Sequence, residues 1–149
     1  MSVHFTRSEG ETAAVGRALG RRLRPGAVVL LEGPLGAGKT AFARGLAVGL
    51  GCDGDDVSSP TFTIVQEYRG KARLQHVDLY RLTPGEVDDL ALEDLLEDSV
   101  MAVEWPDRWR RAPPEATRVT LEPLDGNRRK ITIQKLQLGI RNEEPASRS

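Results

Sequence analysis

Cysteine is nearly absent from this chain. Cys52 stands alone among 149 residues, so no internal disulfide can form, and a reducing compartment fits. A lone thiol is more often a small apolar filler than a nucleophile. Histidine is scarce as well, with His4 and His76 the only two. No zinc site is expected from so few, and His76 reads as a packed strand residue. Aromatics are 5% of the chain, and Trp105 and Trp109 read either as core anchors or as a patch facing a partner. Neither sign of charge dominates: 21 Lys and Arg against 22 Asp and Glu leave a net charge of −1. Such a surface is not built to hold nucleic acid by counterion release, so RNA would be met through a partner. No apolar run approaches the roughly 20 residues needed to span a bilayer. The start, "MSVHFTRSEGE", lacks the basic-then-apolar order of a signal peptide. A cytoplasmic protein with no membrane contact is expected.

What is present suits one soluble α/β domain. Hydrophobic residues make up 39% and charged residues 29%, ordinary for a globular protein of this length. Residues 1–140 are read as that domain, and the polar end 141–149 as a frayed tail. "VHFT" at 3–6 is a short strand. Ser8 and Glu11 predict a capping box opening a helix that runs to Leu23. "AVVLLEG", 27–33, is apolar without alternation, as in a strand buried on both faces. "KTAFARGLAVGLG" reads as a helix ending at its last glycines. "TFTIVQEY" and "ARLQHVDLY" predict a hairpin. Thr83, Pro84 and Glu86 predict a second capped helix over "TPGEVDDLALEDLLEDS". Its acidic side chains are most simply a solvated face. "VMAVEW" is another buried strand, and "TRVTLEPL" and "KITIQKL" flank "DGNRR" as a last hairpin. Strand and helix alternate early, while hairpins dominate late. That predicts a mixed parallel and antiparallel sheet flanked by helices.

The chemistry gathers in Gly33–Thr40, "GPLGAGKT", which fits G-x-x-x-x-G-K-[ST] at every fixed position. A chance match in a chain of this length comes to about half a percent on average composition. Glycines let successive backbone N–H groups curl around an anion without a Cβ in the way. The helix that follows adds its positive end. Lys39 can reach the β- and γ-phosphates, and the Thr40 hydroxyl can ligate Mg²⁺. A single P-loop NTPase-like domain is expected, with Gly33, Leu35, Gly36, Ala37, Gly38, Lys39, Thr40 and Ala41 at the nucleotide. No N-K-x-D guanine-reading motif occurs, which favours ATP. Such a loop needs a carboxylate near the metal and a group to orient water. Asp78, ending "LQHVD", and Glu104, ending "VMAVE", qualify; one is expected at Mg²⁺ and the other at the attacking water. The Asp78 strand alternates more, which predicts an edge position. Ser58, Ser59 and Thr61 sit where a loop sensing the γ-phosphate would lie, and equally where an ordinary turn would.

Taken together, "GPLGAGKT", "VSSPTF", "HVDLYRL" and "VEWPDR" resemble, in order and spacing, the TsaE family of bacterial P-loop ATPases in tRNA threonylcarbamoyladenosine synthesis. The resemblance spans about Glu11–Arg108. It implies slow ATP hydrolysis that works with TsaD and TsaB, which transfer threonylcarbamoyl from its adenylate to adenosine 37 of tRNAs reading codons that begin with A. The hydrolysis resets that complex between turnovers. It further implies Lys39 and Thr40 at phosphate and Mg²⁺, Glu104 as a metal-site residue, Asp78 as a second acid, and Thr61 in a switch-like loop. It places the segment Thr6–Thr12, with Thr6, Glu11 and Thr12, near the base. Pro34 departs from the family's usual acidic residue and Ala41 from a common hydroxyl. Two other readings stand beside it: a small-molecule or nucleoside kinase, and a nucleotide-dependent interaction module with incidental hydrolysis. An activating arginine would be Arg81 or Arg108 in cis, or a partner's in trans.

Overall fold

Apolar strands separated by amphipathic helices bury their faces most simply as a sheet between helical layers. The computed structural model, which describes residues 1–54 and 64–135, has that arrangement. The strands are β1 (Ser2–Thr6), β2 (Val28–Glu32), β3 (Val65–Tyr68), β4 (Arg73–Asp78), β5 (Ser99–Glu104), β6 (Thr117–Pro123) and β7 (Arg129–Lys135). They form one sheet in the order β1-β7-β6-β2-β5-β4-β3. β2 runs parallel to β5 and β6, and β4 parallel to β5. β3 and β7 run the other way, each antiparallel to its neighbours. The sheet is mixed and both expected hairpins are formed.

One strand is not where its pattern suggests. β4 lies between β3 and β5, so it is not an edge strand. Its alternating polar residues face protein, not water. Gln75 Nε2 donates to Ser99 Oγ and Glu67 Oε2, both at 3.2 Å, and His76 meets Glu104. Buried polar groups that pair across the sheet mimic the alternation of a solvated strand.

Among the described residues three α-helices cover the sheet: α1 (Glu9–Gly20), α2 (Lys39–Gly49) and α3 (Pro84–Asp89). Ser8 caps α1 by accepting from Glu11 N at 3.1 Å. The Glu11 carboxylate accepts from Arg7 N rather than closing a box with Ser8. α1 stops at Gly20, short of Leu23, in a turn in which Arg22 N donates to Leu19 O and Leu23 N to Gly20 O. The Thr83–Glu86 capping box is complete, yet α3 lasts only six residues. Ala91 then takes a left-handed φ of 51° and Leu92–Leu96 form a 3₁₀ turn. Val87 and Leu92 are both buried in one cluster with Trp109. Five residues apart, they cannot share one face of a regular helix, so the chain turns to bury both.

The core lies on both faces. Val29, Leu31, Phe42, Leu46, Leu74 and Ala102 pack on the side of α2. Val28, Leu30, Val77, Leu79, Met101 and Val103 pack on the other. α1 crosses α2 at backbone distance: a Cβ on Gly45 would lie 1.9 Å from Ala13 O. Nearer the start of α1, a Cβ on Gly38 would lie 3.6 Å from Thr12 Cγ2. Cys52 is buried, its Sγ 3.4 Å from Ala72 O, and burial pushes its thiol pKa up; it fills space, as its solitude suggests. Among the described residues no helix is long and apolar enough to cross a membrane.

Candidate nucleotide and metal site

Parallel strands deliver their last residues to one edge of a sheet, where ligands of such folds bind. Here Glu32, Asp78 and Glu104 close β2, β4 and β5, and Asp78 lies directly opposite Glu104 in register. Between β2 and α2 the chain makes the glycine turn. Ala37 N donates to Pro34 O at 3.1 Å. Gly38 takes φ 100°, a left-handed value that a Cβ disfavours. At Gly33 a Cβ would lie 2.6 Å from Leu121 O. No side chain caps α2 and no acid sits in its first turn, so its leading N–H groups are open to an anion.

A cavity of about 340 Å³ lies beside this turn. Leu35, Gly36, Gly38, Lys39, Thr40 and Ala41 line one side, and Glu104 contributes a carboxylate. Gly33 and Ala37 shape the turn without lining the cavity, and Asp78 does not line it either. Glu9, Thr12, Arg44, Asn127 and Arg129 line the remainder. From the segment expected near the base, Thr12 reaches the cavity while Thr6 does not; both are buried, Oγ1 to Oγ1 at 2.8 Å. Glu11 is exposed and spends its carboxylate on Arg7 N. Thr61, Ser58 and Ser59 lie outside the described residues.

Lys39 is 5% exposed, its Nζ 3.8 Å from Glu104 Oε1 and 4.3 Å from the centre of the Trp105 ring. Burial lowers its pKa, and the carboxylates of Glu104 and Asp78 pull the other way. Burial raises the pKa of Asp78, opposed by a hydrogen bond from Tyr80 N to Oδ1 at 2.9 Å. Trp105 is held at a left-handed φ of 60°, strained for a bulky residue. Arg108 stacks near both Tyr80 and Trp105, 5.8 and 5.7 Å from the ring centres. Its Nη1 has no hydrogen-bond partner among the described residues; Arg81 is exposed. Trp109 is a core residue.

The side chains available to a cation are oxygen donors: the Thr40 hydroxyl and the Glu104 carboxylate line the cavity, and Asp78 lies beside Glu104 in register. That suits a hard cation such as Mg²⁺, which takes one or two protein carboxylates and completes its shell with phosphate and water. Among the described residues no group of three or more His, Cys, Asp or Glu could cage a metal alone.

Two further residues reach the site that were not expected there, although His76 opens the stretch "HVDLYRL". Arg129, on β7, donates from Nη2 to Gly36 O at 3.0 Å and from Nη1 to Arg128 O and Gly126 O at 2.8 and 3.1 Å. It braces the glycine turn from 93 residues away, with no signal in the sequence. His76 Nε2 lies 2.7 Å from Glu104 Oε2. Its signal was its spacing: two residues before Asp78 on a strand, it shares Asp78's face.

Known proteins are similar to this chain over most of its length. The family model "Threonylcarbamoyl adenosine biosynthesis protein TsaE" matches residues 6–131. A tRNA threonylcarbamoyladenosine biosynthesis protein TsaE from Treponema pallidum is 41% identical over 131 residues, 86% of this chain and 96% of that protein. One from Synechocystis is 47% identical over 106 residues, 67% of each. The crystal structure of Bacillus subtilis YdiB superposes with a TM-score of 0.75 at 31% identity, covering 91% of this chain and 86% of that one. With the glycine turn and its facing carboxylates set on that shared fold, this chain belongs to the TsaE family of tRNA threonylcarbamoyladenosine biosynthesis.

Proposed function

We propose that this chain is a Mg²⁺-dependent ATPase whose hydrolysis supports a TsaB–TsaD complex in threonylcarbamoylation of adenosine 37. The observation that carries it is the convergence of Lys39 and Glu104, 3.8 Å apart, at the mouth of a glycine turn that opens a helix. The turn and the N-terminus of α2 hold the phosphates, and Lys39 leaves Glu104 to pair with them. Thr40 and Glu104 hold Mg²⁺, which when bound neutralises charge building on the phosphate oxygens. Asp78 orients water for in-line attack on the γ-phosphorus. The bond to the β–γ bridging oxygen breaks, and the carboxylate receives the water's proton. Burial raises the Asp78 pKa, the direction a base requires. Arg108, unpaired at Nη1, is the activating arginine available in cis. Residues 1–140 act as one domain in the cytoplasm, and tRNA is met through the partners. Phosphate release from ATP, measured with and without TsaB–TsaD, tests this. Strong stimulation is expected. A phosphorylated acceptor in place of free phosphate would make the chain a kinase, and full tRNA modification by a Glu104→Ala variant would make hydrolysis incidental.

A further inference from the structure

His76 is fully buried on β4, and one of its ring nitrogens has no partner among the described residues. Its Nε2 is 2.7 Å from Glu104 Oε2, while Nδ1 is buried and unpaired. A carboxylate only accepts hydrogen bonds, so Nε2–H donates to Oε2. An apolar side chain of similar volume would fill this site without leaving a polar atom unpaired. The bond that histidine makes must therefore be sought in Glu104.

The strand geometry shows what that bond does. β4 and β5 are parallel, with Asp78 opposite Glu104 and His76 opposite Ala102. His76 thus stands one rung behind Glu104 on the same face of the sheet. Glu104 has two oxygens and they have different partners. Oε2 is tied to His76, and Oε1 faces Lys39. The bond to Oε2 restrains rotation of the carboxylate, and Oε1 is the oxygen on the side of Lys39, a residue that lines the cavity. Ligating carboxylates are oriented by such outer hydrogen bonds, and losing one costs about 10–100-fold in metal affinity or activity.

We infer that His76 is a positioning residue that clamps Glu104 Oε2, so that Glu104 presents Oε1 to a divalent cation bound with the nucleotide. This rests on the proposed placing of that cation at Glu104. The test compares wild type, His76→Phe, His76→Gln, Glu104→Gln and the double variant H76F/E104Q. Gln keeps an N–H donor near the Nε2 position, and Phe keeps the bulk without it. Binding of a non-hydrolysable ATP analogue is measured in EDTA and across a Mg²⁺ titration, with melting temperature as the check on folding. Phosphate release is followed in parallel with TsaB–TsaD present. For His76→Phe, affinity in EDTA stays near wild type, the Mg²⁺ needed rises about 10-fold or more, and kcat falls about 10–100-fold. His76→Gln recovers most of both. In the Glu104→Gln background, removing the ring adds no further loss. Equal weakening with and without Mg²⁺, additive losses in the double variant, or a Gln variant as poor as Phe would reduce His76 to a packing residue. If Phe fails to fold, His76→Asn, whose amide is too short for Glu104, takes its place. A wild type that binds the analogue with Mg²⁺ yet releases no phosphate with its partners would overturn the ATPase reading and leave the Mg²⁺ arm to decide on His76. No response of binding to Mg²⁺ in the wild type would overturn both.

Discussion

The ammonium of Lys39 lies 4.3 Å from the centre of the Trp105 ring, in the cation–π range. The cation a phosphate would draw away is already in contact with an aromatic reporter. Nucleotide binding should therefore change tryptophan emission. Trp105→Phe should abolish the change, and Trp109→Phe, in the core, should keep it. Lys39→Ala should weaken nucleotide binding about 10–100-fold, the worth of charge-assisted hydrogen bonds of about 1.5–3 kcal/mol. Its melting temperature should not fall, because burial already disfavours the charged amine. Retained affinity by calorimetry would count against the site.

Arg129 supports the loop through the Gly36 carbonyl. Removing that donor should loosen the turn, so Arg129→Ala should bind nucleotide about 10-fold more weakly, near 1.4 kcal/mol. Arg129→Lys should restore little, because one ammonium cannot span the three carbonyls that the guanidinium reaches. Equal affinity for all three proteins would show the brace to be dispensable.

The Asp78 carboxylate carries a burial cost. Burial raises its pKa in the fold, so between the unfolded and folded values the native state binds more protons. Stability then declines as pH rises through that window, and the cost is complete above it. Asp78→Asn should raise the melting temperature at neutral pH by about 1–3 °C, kept small because the group is partly solvated. The gain should vanish below the ordinary aspartate range. Phosphate release should drop sharply in the same variant. A difference in melting temperature between Asp78→Asn and wild type that is the same at about pH 3 and about pH 8 (roughly one unit below and four units above the usual aspartate value) would contradict the burial cost.

The α1–α2 crossing should tolerate no side chain at Gly45, where a Cβ would meet Ala13 O at 1.9 Å. Gly45→Ala should cost about 1–3 kcal/mol by overpacking, a fall of roughly 2–12 °C in melting temperature. Gly10→Ala is the control: the nearest atom to its Cβ would be Ser8 Oγ at 3.8 Å, an ordinary contact, and the change should be near neutral.

Much of the fold could be read directly. The β2 run, the glycine turn, α2 and both hairpins follow from apolar runs, turn residues and caps, all of which act over a few residues. The places where reading failed share a cause. The α3 region carries an intact capping box, yet Val87 and Leu92 are both drawn into one cluster, which cuts the helix short. β4 looks half-solvated because its buried polar residues pair with side chains on neighbouring strands.

By itself the sequence determined the glycine turn between β2 and α2, because backbone conformation there is dictated by glycine at fixed spacing. It also named Asp78 and Glu104 as carboxylates at strand ends. Only the tertiary structure decided that the two lie side by side, that His76 holds Glu104 from 28 residues away, and that Arg129 holds the turn from 93. Those are contacts across a sheet, set by strand order and register, and neither is written in any local stretch of chain.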